Sequence, residues 1–469
     1  MNRISMKIKK LLLICHALFC IIPAVAEGYD RYYHDLPVAL PQVTQPVIPL
    51  RTVSLADYGG KGDGITLNTD AFEQAIRALA KEGGGRLVVP AGIFLTGPIV
   101  LKGGIDLHLE RNAVIVFSPD KALTVKDGDK KATALITANK QQNISISGEG
   151  ILDGNGEWWR PVKRDKVSDV EWKQYLSMGG TVTDQGSLWY PFRLKHYGNI
   201  ASTPEAQEKY RNHMIRFTDC DRVLVQGVTI MNSPKFHLTT QRCTNVTIDG
   251  TTIRCPWNAQ NGDGIDIGNS RNVLIVGNTI DCGDDGICMK GGAGKTGQGY
   301  GPCKNILIQD NTVYHAHGGF VIGSEFSGGM KNIVVRNNTF MGTETGLRFK
   351  SATGKGGKTE RIYISHIQMT DIKDAAIVFE TTYQDRPAGS KAKAAQPTQT
   401  EFVPEFQDIH ISDVICRGTK TGIEAHGEKG MVHHISVRHS TFFYTDKPMD
   451  IGKDCEISLQ DVQFTTFHQ

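Results

Sequence analysis

Four short clusters hold the residue types that could do chemistry in this chain: Asn261-Gly262-Asp263, Gly283-Asp284-Asp285, Ala316-His317-Gly318 and Arg348-Phe349-Lys350. Three carboxylates brought close together repel one another, so one of them is expected to hold a proton at neutral pH while its neighbours stay ionised. An acid beside a base is what cleavage of a glycosidic bond requires, one group protonating the leaving oxygen and the other activating water. Arg348 and Lys350 add fixed positive charge suited to an anionic substrate, the arginine in bidentate fashion. Taken alone, an Asp-Asp pair in a turn reads equally well as a solvated loop or a calcium site. The argument for chemistry rests on whether the chain folds so that the four clusters meet.

A repeat answers that question. Segments beginning at Asn143, Arg222, Asn245, Asn272, Asn305, Asn332, Arg361, Asp408 and His434 share one apolar pattern. One position on stand Ile144, Val223, Val246, Val273, Ile306, Ile333, Ile362, Ile409 and Ile435, and three positions on stand Ile146, Val225, Ile248, Ile275, Ile308, Val335, Ile364, Ile411 and Val437. Alternation of this kind marks a strand. A further row eight positions on, from Ile151 through Ile230, Ile253 and Ile280 to Phe442, marks a second strand beyond a turn. Units of roughly 23 to 33 residues with several short strands and no helical period are those of a parallel solenoid, a single all-β helix of stacked coils. Asn278, Asn311 and Asn338 share one bend and are expected to form a structural amide ladder.

A third strand in each coil opens on a small residue at Gly264, Gly286, Gly319, Gly346, Ala376 and Gly422, and its apolar positions run Ile265 and Ile267, Ile287 and Met289, Phe320 and Ile322, Leu347 and Phe349. The positions between them, among them Asp266, Cys288, Lys290, Arg348 and Lys350, are then expected on the outer, solvent face. The clusters lie just before or on this strand in neighbouring coils. Asp263 falls over Asp285, Asp284 falls level with His317, and Arg348 and Lys350 lie two coils further on. Rungs are about 4.8 Å apart, so all of them can reach one sugar ring.

The periphery frames that core. Asp70 to Glu82 reads as an amphipathic helix with capping-box spacing at Asp70 and Glu73, an apolar face of Phe72, Ile76 and Leu79, and Gly83-Gly84-Gly85 as its stop. It would cap the N-terminal end of the solenoid. Two insertions break the register, at about 154–213 and 383–403. The first carries Trp159, Arg160, Trp172, Trp189, Tyr190 and Arg193, a set suited to walling one end of a sugar groove. Residues 1–26 have the form of a secretory signal peptide, with Arg3, Lys7, Lys9 and Lys10 before the apolar run Leu11 to Ile22 and an Ala24-Val25-Ala26 cleavage site, which places residues 27–469 outside the cytoplasm as a secreted or periplasmic domain. A lipoprotein reading at Cys20 is opposed by bulky Phe19. Eight cysteines then remain, a count that permits disulfides without assigning them, at spacings unlike a zinc site. The net charge of +3 over 469 residues gives no field that would gather nucleic acid. Neither a membrane, a metal nor a cofactor is expected, and the chain reads as a monomer.

Three other positions are candidates. Lys290 shares the strand position of Lys350 and is expected to make a second contact with an anionic sugar. His237 falls on the outer face by alternation, where it can touch substrate or be an ordinary surface histidine. The glycine-rich run Gly291 to Gly301 reads as a groove-edge loop, since no following helix supports phosphate binding.

With these residues in view, the chain resembles glycoside hydrolase family 28, the polygalacturonases. Its Asn-X-Asp, Gly-Asp-Asp, Gly-His-Gly and Arg-X-Lys signatures match Asn261-Gly262-Asp263, Gly283-Asp284-Asp285, Ala316-His317-Gly318 and Arg348-Phe349-Lys350, and the likeness runs from Asp57-Tyr58-Gly59-Gly60 through Asp153-Gly154-Asn155-Gly156 to the last coils. The resemblance implies a right-handed parallel β-helix that hydrolyses α-1,4-galacturonosidic bonds of pectin with inversion. Asp284 would be the acid, Asp263 and Asp285 would hold the attacking water, His317 would tune or relay to the acid, and Asn261, Arg348 and Lys350 would bind the sugar. Ala316 in place of the first glycine is the one departure. Inverting carboxylates usually stand roughly 6.5 to 9.5 Å apart, whereas Asp263 and Asp285 fall about one rung apart, which fits if both serve the water. The run His317-Gly318-Gly319-Phe320-Val321-Ile322-Gly323-Ser324-Glu325 is more similar to the exo-acting bacterial branch than to the endo-acting fungal one. Competing readings are an endo-acting polygalacturonase, a rhamnogalacturonan or xylogalacturonan hydrolase, a calcium-dependent pectate lyase, and a non-catalytic carbohydrate-binding β-helix.

Overall fold

Residues that open each repeat share one backbone state: Asn143, Arg222, Asn245, Asn272, Asn305, Asn332, Arg361, Asp408 and His434 all have φ between +52° and +57°. A left-handed residue turns the chain sharply into the strand that follows, and the short amide and carboxylate side chains tolerate it best. The rows that begin there stack in parallel, Val223 on Val246 on Val273 on Ile306 on Ile333 on Ile362 on Ile409 on Ile435. In this computed structural model, which describes residues 28–125, 132–183, 186–191, 208–383 and 401–466, the described strands of the coils join in one 31-stranded sheet wound as a right-handed parallel β-helix. The expected signal peptide lies outside the described residues, as do Arg193 and most of the second insertion.

The chain divides into two compact units, residues 1–36 and 37–469. Of the first, the described part holds a 3-10 turn at Tyr29–Tyr33. The second contains the β-helix. Its interior is one apolar cluster that runs from Leu55 to Phe442 and includes stacked rings such as Phe349 on Phe379 at 4.5 Å. The helix Thr69–Lys81 adds Phe72, Ala75, Ile76 and Leu79 to the same cluster and so covers the apolar interior of the first coils, as expected. Its N-cap is Asn68 and no capping box forms at Asp70. The Asn68 amide instead binds Lys61, Thr66 and Leu95 backbone groups and ties the preceding loop down.

The amide ladder forms as expected, with Asn278 Nδ2 donating to Asn311 Oδ1 at 2.8 Å and Asn311 Nδ2 to Asn338 Oδ1 at 3.0 Å. One register differs: Leu152, and not Ile151, stacks on Ile230. The coil spends one additional residue at Gly148-Glu149-Gly150, where Gly148 is left-handed at φ +108° against the Leu109 backbone. The eight cysteines among the described residues are free thiols. Within the first insertion a three-stranded antiparallel sheet, Val162–Lys163, Leu188–Tyr190 and Thr181–Thr183, packs with the helix Asp169–Ser177. None of the described helices is long and apolar enough to cross a membrane.

Candidate active site

The third strand of each coil builds the site. Ile265, Ile287, Phe320 and Leu347 stack inward, so Asp266, Cys288, Val321 and Arg348 form one outward row and Gly268 and Lys290 start another that ends in Gly323 and Lys350. The outward row departs from the expectation of a solvent face. Asp266 is 1% exposed, and Cys288 and Val321 are fully buried. The long side chains of Lys290, Arg348 and Lys350 cross this face, and Cys288 donates to the Gly323 carbonyl at 3.2 Å. The turn just before the strand delivers the acids. Gly264 N–H binds the Asp285 carbonyl and His317 N–H the Asp284 carbonyl, which holds the three turns in step.

That register brings the expected residues together. His317 Nδ1 lies 2.9 Å from Asp284 Oδ1, and the Asp285 N–H donates to the same oxygen at 3.0 Å. Lys350 Nζ donates to Asp285 Oδ2 at 2.8 Å, and Arg348 Nη1 stands 4.0 Å from Asp285 Oδ1. Lys290 Nζ is shared among carboxylates, 3.5 Å from Asp266, 3.9 Å from Asp263 and 4.0 Å from Asp285. It is a counter-ion inside the cluster more than a free hand for substrate. The Tyr383 ring faces Lys350 at 4.9 Å and Arg348 at 5.5 Å. A shallow depression of about 410 Å³ continues the groove from Arg348 over Val378, Glu380, Lys420 and Glu424.

Charge divides the carboxylates. Burial, reinforced by the neighbouring Asp284 and Asp266, pushes Asp263 well above the ordinary carboxylate range, and burial raises Asp266 to about 7 against the pull of Lys290. For Asp284 and Asp285 burial acts upward too, but it is outweighed. His317, then Lys350 and Lys290, draw Asp284 down, and Lys350, Lys290 and Arg348 draw Asp285 down. The cluster therefore holds both protonated and ionised carboxyl groups at one pH, as like charges this close require. The groups that favour the protonated form are Asp263 and Asp266, and those that favour the ionised form are Asp284 and Asp285. Asp284, Asp285 and His317 each offer a metal-ligand atom within 4.8 Å of one another. Within that set Asp284 Oδ1 faces His317 Nδ1 and Asp285 Oδ2 accepts from Lys350.

Other candidates fall differently. Asn261 is left-handed at φ +52° and its Oδ1 accepts from Arg211 Nη2 at 2.8 Å, so an arginine at the end of the first insertion fixes its amide. Ala316 is buried and its carbonyl accepts from Glu344 N–H at 2.7 Å, so its methyl fits the turn. His237 is corrected: it is fully buried, with Nδ1 2.8 Å from the Asp263 carbonyl and Nε2 accepting from Ser233 N–H at 3.3 Å. Burial lowers it to about 4, so it is a neutral brace for the Asp263 turn and not the outer-face residue expected. Alternation misplaced it because it stands in the turn and not on the strand. The insertion's aromatics are corrected as well. Trp189 packs with Val162, Val167, Trp172 and Tyr175, and Trp159 lies under the Lys121 ammonium at 4.5 Å. Trp189 is thus part of the insertion's own core, and Trp159 is buried against a lysine that lies outside the insertion.

Two site residues escaped the sequence. Lys166, on a 3-10 turn of the first insertion, places Nζ 3.1 Å from His317 Nε2 and 2.9 Å from Glu344 Oε1. An insertion has no repeat register, so no spacing pointed to Lys166. Glu344 stands in the turn before Arg348 and was legible in principle as a charge beside His317.

A model of the glycosyl hydrolases family 28 matches residues 166–424. Over 445 residues the chain is 28% identical to an exo-poly-α-D-galacturonosidase of Dickeya chrysanthemi, covering 90% of this chain and 71% of that one. It is 27% identical over 341 residues to a polygalacturonase of Malus domestica, covering 70% of this chain but 62%, less than two thirds, of the relative. Among solved structures, a hyperthermoactive exopolygalacturonase from Thermotoga maritima superposes with a TM-score of 0.73 at 29% identity, covering 90% of this chain and 94% of that one.

Proposed function

Because the chain belongs to the glycosyl hydrolases of family 28, we propose that it hydrolyses α-1,4-galacturonosidic bonds of polygalacturonan or its oligomers, working from chain ends and inverting the anomeric carbon. The observation that carries this reading is the stack on four adjacent rungs, with Asp284 held by His317 at 2.9 Å, Asp263 and Asp285 beside it, and Lys350 and Arg348 above. Asp284 gives a proton to the glycosidic oxygen as the C1–O bond breaks. A water held by Asp263 and Asp285 attacks C1 from the opposite face and loses a proton to the ionised carboxylate. Such proton transfers contribute about 10²–10⁴ in rate.

An anionic substrate makes the acid. Lys350 is among the charges that draw Asp284 down, and a uronate carboxylate paired with Arg348 and Lys350 cancels that pull, so its arrival raises the proton affinity of Asp284. The site thus gains its acid as the galacturonate binds. Exo action is supported by the exo-acting names of the Dickeya and Thermotoga relatives and by the insertion that sets Lys166 against the site. Export is supported by the form of residues 1–26.

The test follows viscosity and reducing ends together on polygalacturonan. Exo hydrolysis releases galacturonate one or two units at a time, with little viscosity loss per bond cut and no response to chelation. A rapid viscosity fall with a ladder of intermediate oligomers contradicts chain-end action, and loss of activity on chelation contradicts the metal-free chemistry.

A further inference from the structure

Asp284 has to carry a proton to act as an acid, yet its histidine partner draws it toward the ionised form. The geometry around that histidine resolves the conflict. A lysine ammonium has three protons to give and no lone pair to accept with. With Lys166 Nζ 3.1 Å from His317 Nε2, that nitrogen presents its lone pair, and the ring proton sits on Nδ1, pointing at Asp284 Oδ1 at 2.9 Å. The Asp285 N–H meets the same Oδ1, which leaves Oδ2 to carry the transferable proton. Glu344 Oε1 anchors the ammonium at 2.9 Å and stands farther off, 3.6 Å, from His317 Nε2. An acceptor such as Glu344 in the place of Lys166 would instead favour a proton on Nε2.

We propose that Lys166 is a positioning residue for the acid: by donating to Nε2 it holds His317 as the neutral imidazole with its proton on Nδ1, so that Asp284 meets a hydrogen-bond donor instead of an imidazolium and can hold, once the substrate has bound, the proton it must give to the leaving oxygen. The inference rests on the hydrolase reading above. It also gives the first insertion a role in chemistry beyond walling a groove, since Lys166 is supplied from outside the repeat. Lys166 reaches substrate only through His317, and its effect is therefore confined to steps that need a proton delivered.

Leaving-group dependence tests this directly. Tetragalacturonate needs its leaving oxygen protonated, whereas the fluoride of α-galacturonosyl fluoride departs with little acid assistance. Lys166→Met is expected to lower kcat on tetragalacturonate about tenfold or more with KM within about twofold, while hydrolysis of the fluoride stays within about twofold of the parent. Lys166→Arg keeps a cationic donor and should recover most of the loss. Glu344→Gln, which loosens the anchor, should shift the same substrate ratio by less, and serves if Lys166→Met folds poorly. Equal losses on both substrates, a rise in KM alone, or no loss overturns the positioning role while leaving the hydrolase reading intact. If the parent shortens no oligogalacturonide, the hydrolase reading itself fails and this inference falls with it.

Discussion

Two buried polar stacks climb the same coils, and they are built to opposite rules. At one bend, Asn278, Asn311 and Asn338 are each about 1% exposed, and every amide finds partners: Nδ2 of one donates to Oδ1 of the next, and Asn278 Oδ1 accepts from Thr251. At the site turn, Asp263, Asp266 and Asp285 are as deeply buried, yet Asp263 Oδ1, Asp285 Oδ1 and both Asp266 oxygens accept no hydrogen bond. A folded chain almost always satisfies buried polar atoms, and exceptions need a reason. The ladder spends its hydrogen bonds on the fold. The carboxylate stack leaves buried acceptors without hydrogen bonds beside the reacting groups, and holds itself together by ion pairs with Lys290, Lys350 and Arg348 instead. Polar groups that break the local rules of a fold mark where function sits.

The contrast predicts that changes at one stack cost activity and changes at the other cost stability. Asp284→Asn preserves shape but cannot deliver a proton, so kcat is expected to fall by about 10²–10⁴ with the melting temperature little changed. Near-parent turnover in that variant removes Asp284 from the acid role. Arg348→Ala and Lys350→Ala are each expected to lose at least about tenfold in kcat/KM on galacturonides. Lys350→Ala should be the worse of the two, because it also leaves Asp285 without its 2.8 Å partner. If both behave like the parent, the anionic substrate is wrong.

Asn311→Ala removes the acceptor that serves both Asn278 N–H and its amide, and is expected to destabilise by about 1–3 kcal/mol in denaturant titrations with kcat unchanged. A loss of activity greater than the loss of folded protein would break the division between the stacks. The smallest effect concerns Asp266. Its folded value is raised from 3.8 to about 7, so the folded state binds that proton more tightly than the unfolded chain does. The stability this contributes is fully present below pH 3.8 and is lost as pH rises through about 7. Asp266→Asn should therefore melt with the parent in acid and above it in alkali, and a melting difference that is constant with pH would contradict the burial argument.

Much of the site was legible because a repeat converts sequence spacing into distance. Asp284 and His317 fell level on paper and are hydrogen-bonded in the fold, since each coil returns its third strand to the same rung. What escaped lacked that metric or depended on cover. Lys166 belongs to an insertion with no register, so its arrival at His317 is a tertiary event. His237 and Asp266 were read as outward by alternation, but alternation gives a side and not an exposure. Neighbouring turns and the Lys290 side chain bury them. The capping box at Asp70 failed because the helix starts at Thr69, which puts Asp70 inside its first turn and Asn68 at the cap.

If Asp284 protonates the leaving sugar while carboxylates on the opposite side deliver water, the first product carries an inverted anomeric centre. Proton NMR within the first minutes of digestion of an oligogalacturonide, before mutarotation, reads that centre. Saturated β-galacturonate is expected to appear first, because water enters from the face opposite the departing α-linked sugar. An α-product appearing first would mean retention through a covalent intermediate, and an unsaturated product would mean elimination. Either result would contradict the roles assigned to Asp263, Asp284 and Asp285.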